Sequence, residues 1–204
     1  MKKMKPIQFR VVLAFFIPAF AVFFIALSGC GKQSFNAEKT MDEGSPTAQL
    51  ASPLLGVTIN VKSVGAEGDG TTDDTWAFQK AIDSVNGLGG GTVYVPSGTY
   101  LVDPDTADCI RMKSNVTLNM VDTTRILLAK PSAAGTYRVI WMKNISNATV
   151  IGGKIQGERY QHQGTTGEWG HGMGIYGVSN VKVIGTRIYD CWGDGISIAG
   201  TEIG

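Results

Sequence analysis

The fold is decided by a seven-residue stretch that occurs twice, as SNATVIG at residues 146–152 and as SNVKVIG at residues 179–185. The two copies have an offset of 33, and a weaker copy, SNVTL at residues 114–118, precedes the first with an offset of 32. A repeat that cannot bury its own apolar face has to stack on its neighbours. The spacing therefore predicts a solenoid.

A second pair of segments gives a shorter period. WGHGMGIYG at residues 169–177 matches WGDGISIAG at residues 192–200 with an offset of 23. A basic turn of about 23 residues, with an insertion of ten between Gly157 and Glu168, reconciles both offsets. Three short strands fit such a turn, which predicts a parallel β-helix rather than a helical solenoid. Four residues should then face its core: Met173, Ile175, Ile196 and Ile198.

The segment before these repeats should hold one helix. A strand is predicted for residues 58–64 and a loop for residues 65–71. Thr72, Asp73 or Asp74 can cap the helix that follows, and glycines between residues 87 and 91 end it. From Thr92 onward only short strands are expected. The apolar positions of the helix recur at helical spacing: Phe78, Ala81, Ile82 and Val85.

Residues 1–29 have the pattern of a signal peptide. Four cations precede an apolar run at residues 11–27, which ends in LSGC at residues 27–30. These four residues resemble the bacterial lipobox, which implies that Cys30 is lipidated and is the mature N-terminus. A transmembrane anchor is the alternative, although Pro18 interrupts the run. We expect a polar tether over residues 30–56, a domain over 57–204, and an exported protein anchored by lipid at the cell envelope, at the periplasmic face of the outer membrane or at the cell surface.

Charge and cysteine content narrow the classes of partner. The whole chain has a formal charge of +1, and removal of residues 1–29 takes away four of its 18 cations, leaving 14 against 17 acidic residues. A net charge of −3 does not suggest nucleic-acid binding, and an acidic ligand would have to be met by local cations. Cys109 and Cys191 are expected to be two buried thiols, with a disulfide as the alternative.

Two segments carry a resemblance to a known family. VKSVGAEGDGTTDDT at residues 61–75 and GGGTVYVPSGTY at residues 89–100 resemble the N-terminal signature of the rhamnogalacturonase and epimerase-like pectate lyase superfamily. The resemblance covers about residues 57–200. It implies an all-β, right-handed parallel β-helix whose short helix plugs the open first coil. Because residue 204 follows a strand without a polar cap, we expect the β-helix to be truncated at its C-terminal end.

The predicted insertion collects residues suited to an acidic sugar. It contains or borders both histidines, His162 and His171, together with further charged and aromatic side chains. Loops beside one sheet of a β-helix can stack rings on sugars and place cations near carboxylates. A solvated loop is the alternative. The candidate substrate-binding residues, including one from each neighbouring coil, are Arg138, Arg159, Tyr160, Glu168, Trp169 and Trp192.

The two offsets also predict a column of three residues. They place Arg138, His171 and Asp194 at equivalent positions on consecutive coils, with backbones about 4.8 Å apart. Such a column could bind a uronate carboxylate, hold a base and supply an acid, so His171 and Asp194 are the candidate catalytic residues. The alternative is that Asp194 only satisfies the amides of its own turn.

The resemblance leaves several reactions open, because the superfamily includes polygalacturonases, pectin and alginate lyases, mannuronan epimerases and phage tailspikes. GDGI at residues 193–196 resembles the Asn-Thr-Asp-Gly element of polygalacturonases, and only Asp194 matches, as a water-activating carboxylate. The Asp-Pro-His-Glu cluster of the epimerases has no counterpart near residues 197–200. A lyase would use an arginine base, for which Arg159 and Arg187 are available, but the carboxylate cluster for Ca²⁺ is missing.

The sequence therefore predicts a polysaccharide-degrading enzyme acting on uronate-containing, pectin-like glycans, and a glycoside hydrolase in preference to a lyase. A lyase, a mannuronan epimerase-like enzyme and a non-catalytic glycan-binding β-helix are the alternatives. No cofactor or metal is expected, except Ca²⁺ if the protein is a lyase. The expected partners are an acidic polysaccharide and, through the lipid anchor, a bilayer; the oligomeric state is left open.

Overall fold

A computed structural model of the chain describes residues 56–105, 109–121 and 124–200. The predicted signal peptide, Cys30 and the tether as far as residue 55 lie outside the described residues. Within the described ranges, no helix is both long and apolar enough to cross a membrane.

The strands pair in parallel within three sheets, which the chain visits in turn. Sheet A contains β1 (Thr58–Asn60), β3 (Gly91–Tyr94), β6 (Val116–Met120), β9 (Thr149–Gly152) and β12 (Lys182–Ile184). Sheet B contains β2 (Asp69–Asp73), β4 (Gly98–Val102), β7 (Arg125–Ala129), β10 (Lys154–Gln156) and β13 (Arg187–Tyr189). Sheet C contains β5 (Ile110–Arg111), β8 (Thr136–Lys143), β11 (Trp169–Tyr176) and β14 (Ile196–Ala199). The first coil contributes β1 and β2 and is followed by a helix, and each of the four later coils contributes one strand to each sheet in the manner of a right-handed parallel β-helix, so the predicted fold class is confirmed.

The strand register confirms both offsets and the insertion between them. In sheet A, Thr149 pairs with Lys182, an offset of 33. In sheet B the offset is still 33, but in sheet C Met173 pairs with Ile196, an offset of only 23. The ten extra residues of the fourth coil therefore lie between β10 and β11, within residues 157–168, as predicted.

The repeated Ser-Asn element has a physical explanation in the turns before sheet A. Asn115, Asn147 and Asn180 have φ angles of 63°, 56° and 50°, in the left-handed region that asparagine tolerates better than most residues. Their side chains form a ladder: the Nδ2 of Asn147 donates to Oδ1 of Asn115 at 3.2 Å, and the Nδ2 of Asn180 donates to Oδ1 of Asn147 at 2.7 Å. The repeated Ser-Asn element therefore reflects a turn that recurs on successive coils, where its asparagines stack.

The core is a column of inward-facing side chains. Met173 and Ile175 are buried, as predicted, and pair with Ile196 and Ile198. The prediction that Ile196 and Ile198 are also buried is wrong, because they are 41 % and 73 % exposed. Among the described residues β14 pairs only with β11, so its inner face has no coil stacked over it.

A single helix, α1 (Thr75–Gly87), covers the first coil, as the resemblance implied. Its predicted apolar face is buried against β1, β3 and β5, and the ring of Phe78 meets Tyr100 edge-on, with centroids 5.3 Å apart. Asp73 accepts the backbone N–H of Thr75 at 3.0 Å. The helix therefore closes an end that would otherwise expose apolar interior and strand edges.

Asp74 fixes the loop before this helix. Its carboxylate accepts the backbone N–H groups of Glu67 at 2.7 Å and Gly68 at 3.1 Å, although its burial raises its pKa. Gly68 has φ 65°, and a Cβ there would lie 2.7 Å from the Tyr100 ring. The glycine is therefore required both by the turn and by the packing of the helix cap.

Two local predictions near this loop are wrong. The strand expected over residues 58–64 ends at Asn60 and is followed by a 3-10 helix, Val61–Val64, because the Asn60 side chain accepts the N–H of Lys62 at 2.9 Å and turns the chain. The loop expected over residues 65–71 ends earlier, at the start of β2.

The two cysteines of the described residues, Cys109 and Cys191, are buried thiols, as expected, and burial raises the pKa of Cys191 to about 11.

Candidate functional site

The predicted column of three residues exists on sheet C. Arg138 of β8 and His171 of β11 are paired directly in the register. Asp194 precedes β14, and its backbone carbonyl accepts the N–H of Gly172 at 3.1 Å. Arg138, His171 and Asp194 therefore lie on three consecutive coils at one end of the sheet.

His171 and Asp194 are in contact. The backbone N–H of Asp194 donates to Nδ1 of His171 at 3.1 Å, and Asp194 Oδ2 lies 3.9 Å from the same nitrogen. The imidazole is 5 % exposed and the carboxylate 75 % exposed. Burial lowers the pKa of His171; the nearby Asp194 charge opposes this shift and Arg138 adds to it. The ring is therefore neutral near pH 7, with Nδ1 as an acceptor, and the 3.9 Å contact is not an ion pair.

These contacts give the two residues different chemical roles. The carboxylate of Asp194 accepts no backbone amide within the described residues, so the turn is held by its backbone and not by its side chain. His171 is almost covered and uses Nδ1 to fix that turn. Asp194 is thus the group that can reach a ligand, and the catalytic role expected for His171 stays a prediction.

Arg138 lies across the outer face of the sheet. Its guanidinium carbon is 5.1 Å from the ring centres of both Trp141 and Tyr176, and its Nε donates to the Tyr176 hydroxyl at 3.4 Å. The position opposite Trp141 is Gly174, where a Cβ would lie 2.5 Å from Arg138 Cδ. The glycine therefore leaves the space in which the arginine lies.

The insertion loop has an exposed side and a buried side. Four of the predicted substrate-binding residues, Arg159, Tyr160, Glu168 and Trp169, are exposed; Tyr160 is 78 % and Trp169 61 % exposed. Their rings and charges are available to a ligand. The sixth, Trp192, is half-buried and faces the loop.

The buried side forms a cluster that we call the brace: Tyr137, Glu158, His162 and Trp192. The Tyr137 hydroxyl donates to Oε1 of Glu158, which also lies 2.8 Å from His162 Nδ1. His162 stacks on Trp192 with ring centres 4.1 Å apart, and Trp192 Nε1 donates to the Gly167 carbonyl at 2.9 Å. The second carboxylate oxygen and His162 Nε2 have no hydrogen-bond partner among the described residues. Since Trp192 is close in sequence to Asp194, the brace ties the insertion to the Asp194 turn.

The aromatic and basic groups beside this column were not predicted from the sequence. Trp141 and Tyr176 contact Arg138, while Arg111 and Lys143 lie 5.5 Å and 5.1 Å from the Trp141 ring centre. The offset of 33 that aligned Arg138 with His171 also aligns Lys143 with Tyr176, so the signal was present. Among residues 56–105, 109–121 and 124–200, no three His, Cys, Asp or Glu side chains are grouped as metal ligands.

Part of the chain matches a known protein family. The sequence profile described as "Rhamnogalacturonase A/epimerase, pectate lyase-like" matches residues 58–119, which contain the helix cap and the first complete coil. This match and the β-helix fold support the pectin lyase-like superfamily. This pectin lyase-like chain is 30 % identical over 156 residues to the uncharacterized protein YclG of Bacillus subtilis, covering 69 % of the chain and 26 % of the relative.

Two further relatives of the pectin lyase-like chain come from Azotobacter vinelandii. A mannuronan C5-epimerase is 36 % identical over 121 residues, covering 55 % of the chain and 12 % of the epimerase. The structure of the A-module of another mannuronan C-5 epimerase superposes with a TM-score of 0.57 at 24 % identity, covering 68 % of the chain and 40 % of that module. The chain thus spans about a quarter or less of the curated relatives named here, and the structural match shows the fold.

Proposed function

We propose that the chain is part of a polysaccharide-degrading enzyme that acts on uronate-containing, pectin-like glycans as a glycoside hydrolase. One observation carries the proposal: Asp194 presents an exposed carboxylate from a turn fixed by His171, in the same column as the cation of Arg138. Arg138 would bind a uronate carboxylate, and Asp194 would act at the neighbouring glycosidic bond.

Hydrolysis of a glycosidic bond generally requires two carboxyl groups, one to protonate the leaving oxygen and one to activate water or to attack the sugar. Glu168 is the second candidate, because it is exposed and its turn lies one coil before the Asp194 turn. The two turns touch: Gly193 N–H donates to Gly170 O at 2.7 Å, and a Cβ at Gly193 would collide with the Glu168 carbonyl. His171 acts through Asp194 as a positioning residue.

The similarity to the mannuronan C5-epimerase, together with Arg138, favours a second candidate. A cation beside a uronate carboxylate stabilises the negative charge that develops when the proton on C5 is removed, and Asp194 would be the base. Return of a proton to the opposite face gives epimerisation. Loss of the leaving oxygen instead gives a lyase.

Product analysis separates these functions. The chain is incubated with oligogalacturonate and with oligomannuronate, with and without a chelator. New saturated reducing ends support the hydrolase, and unsaturated ends detected by ultraviolet absorbance support a lyase, whose Ca²⁺ need the chelator reveals. A changed epimer ratio by NMR without cleavage supports the epimerase. Binding without any product contradicts all three and indicates a glycan-binding β-helix.

We also propose that the protein is exported and held at the cell envelope by a lipid on Cys30, on the basis of the N-terminal sequence. Changing Cys30 to alanine should leave the protein without lipid, either retained as a precursor or released. Incorporation of labelled fatty acid and partition into detergent report the outcome. A processed variant that still carries lipid would contradict the proposal.

A further inference from the structure

The outer face of sheet B carries two columns of side chains, with one residue of each column on each of its five strands. In β4, β7 and β10 these residues alternate with buried core residues, so they point away from the core. All of them are exposed or half-buried. The register stacks the columns as Asp69, Thr99, Ile126, Lys154 and Arg187 and as Asp73, Leu101, Leu128, Gln156 and Tyr189.

The charges of these columns are sorted along the stacking direction. The acidic residues, Asp69 and Asp73, are both on the first coil, and the basic residues, Lys154 and Arg187, are on the fourth and fifth. The outward residues of β7, on the coil between them, are aliphatic. Among the described residues, no carboxylate forms an ion pair with Lys154 or Arg187. The face therefore has an acidic end, an apolar middle and a basic end whose cations are available to a partner.

This order of charges is complementary to itself. A second copy of the chain, turned by 180° about an axis parallel to β7, keeps the direction of every strand but reverses the order of its coils. Arg187 then faces Asp69 of the second copy, and Ile126 and Leu128 meet their own counterparts. A turn about the stacking direction would instead place the acidic ends on each other, and like charges in contact oppose association. The charges thus select one orientation.

We propose that the outer face of sheet B is the interface of a homodimer in which two copies pack face to face with their coils in opposite order. Each contact of such a two-fold interface occurs twice, so the pair of Arg187 with Asp69 forms at both ends. The aliphatic middle is removed from water. Lys130, beside the end of β7, does not oppose this packing because Asp103 already pairs with it at 2.9 Å. The inference is independent of the proposed function.

The size of the face sets the strength of the dimer. Five strands about 4.8 Å apart, each about five residues long at about 3.3 Å per residue, cover about 400 Å² per copy. A stable interface of standard size buries about 800 Å² per partner. The dimer is therefore weak and readily reversible, and a cross-linker that captures transient contacts detects it better than a measurement of molecular size.

Cross-linking of the full chain by a bis-maleimide, which bridges nearby thiols, tests the packing. The axis runs along β7, so a cysteine in Leu128→Cys lies close to its own counterpart and should give a covalent dimer on a denaturing gel. Thr117→Cys, a half-buried outward position of sheet A on the same coil, is the matched control and should stay monomeric. The parent chain reports any cross-link through its own cysteines.

Charge changes in the Leu128→Cys chain test the orientation. Arg187→Glu sets two carboxylates against each other at both ends and should lower the cross-linked fraction about tenfold. Adding Asp69→Asn should restore part of it, since asparagine loses the charge but keeps Oδ1, which accepts the N–H groups of Thr71 and Thr72. Lys182→Glu, an exposed cation of sheet A on the same coil, should have no effect.

Equal cross-linking of Leu128→Cys and Thr117→Cys would overturn the dimer. So would a cross-link that Arg187→Glu leaves unchanged, or that Lys182→Glu weakens as much, because the charges would then not set the orientation. The proposed function is judged separately, by turnover, because Asp194 lies at sheet C. Turnover by a chain that does not cross-link retains the hydrolase and removes the dimer, and cross-linking without turnover does the reverse.

Discussion

Replacing Glu158 with leucine tests whether the brace holds the insertion to the β-helix. Oε1 of Glu158 is shared by the Tyr137 hydroxyl and His162 Nδ1, and the Glu158 and His162 side chains are each 1 % exposed. Leucine would leave the Tyr137 hydroxyl and His162 Nδ1, both buried, without this hydrogen-bond partner. Each such loss costs about 1–3 kcal/mol, so the free energy of unfolding should fall by about 2–6 kcal/mol.

Urea-induced unfolding measures this loss, and a second variant separates its two parts. Tyr137→Phe combined with Glu158→Leu removes one of the stranded donors, so the double variant should be more stable than Glu158→Leu alone, by about 1–3 kcal/mol. A single variant within about 0.5 kcal/mol of the parent would refute the reasoning, since that is the effect of an ordinary surface change. So would a double variant less stable than the single one.

Three further outcomes follow from the described contacts. Asn147→Ala should lower the free energy of unfolding in urea by about 1 kcal/mol more than Asn147→Gly. Both variants lose the asparagine ladder, but only alanine is strained at φ 56°, so equal stabilities would contradict this. Gly174→Ala should weaken oligogalacturonate binding about tenfold by displacing Arg138, whereas Gly200→Ala, with open space around it, should not; equal affinities would count against it. Burial lowers the pKa of His171, so the unfolded state binds more protons below pH 6.5 and stability falls as the pH drops. This fall should be smaller in His171→Asn, and an unchanged pH profile would argue against it.

The features readable from the sequence were those that repeat. Two offsets sufficed to predict the β-helix, the position of the insertion and the pairing of Arg138 with His171, because parallel stacking converts an offset directly into a neighbour. The apolar period of α1 likewise gave its buried face, and the resemblance gave its place as a cap. In these cases one periodic rule decides the structure.

The features that could not be predicted from the sequence depend on the direction of a side chain or on residues outside a single repeat. Glu158 and His162 look like solvated loop residues in the sequence, and only the fold shows that they turn inward and contact each other through Oε1 and Nδ1. Trp141 could not be assigned to the outer face by strict alternation, because Val139 and Ile140 are both buried and the alternation shifts by one residue between them. The burial of Ile196 could not be predicted from its own repeat either, because it depends on whether another coil covers β14.

The most direct test of the central claim is turnover of oligogalacturonate by Asp194→Asn beside the parent chain. Asparagine keeps the backbone N–H that His171 accepts and nearly the same shape, but it cannot carry a proton to or from the substrate. If Asp194 is the catalytic acid or base, Asp194→Asn should bind within about twofold of the parent and turn over at least about 100-fold more slowly, since that is the usual contribution of a general acid or base. Unchanged turnover would reduce Asp194 to a turn residue and contradict the account.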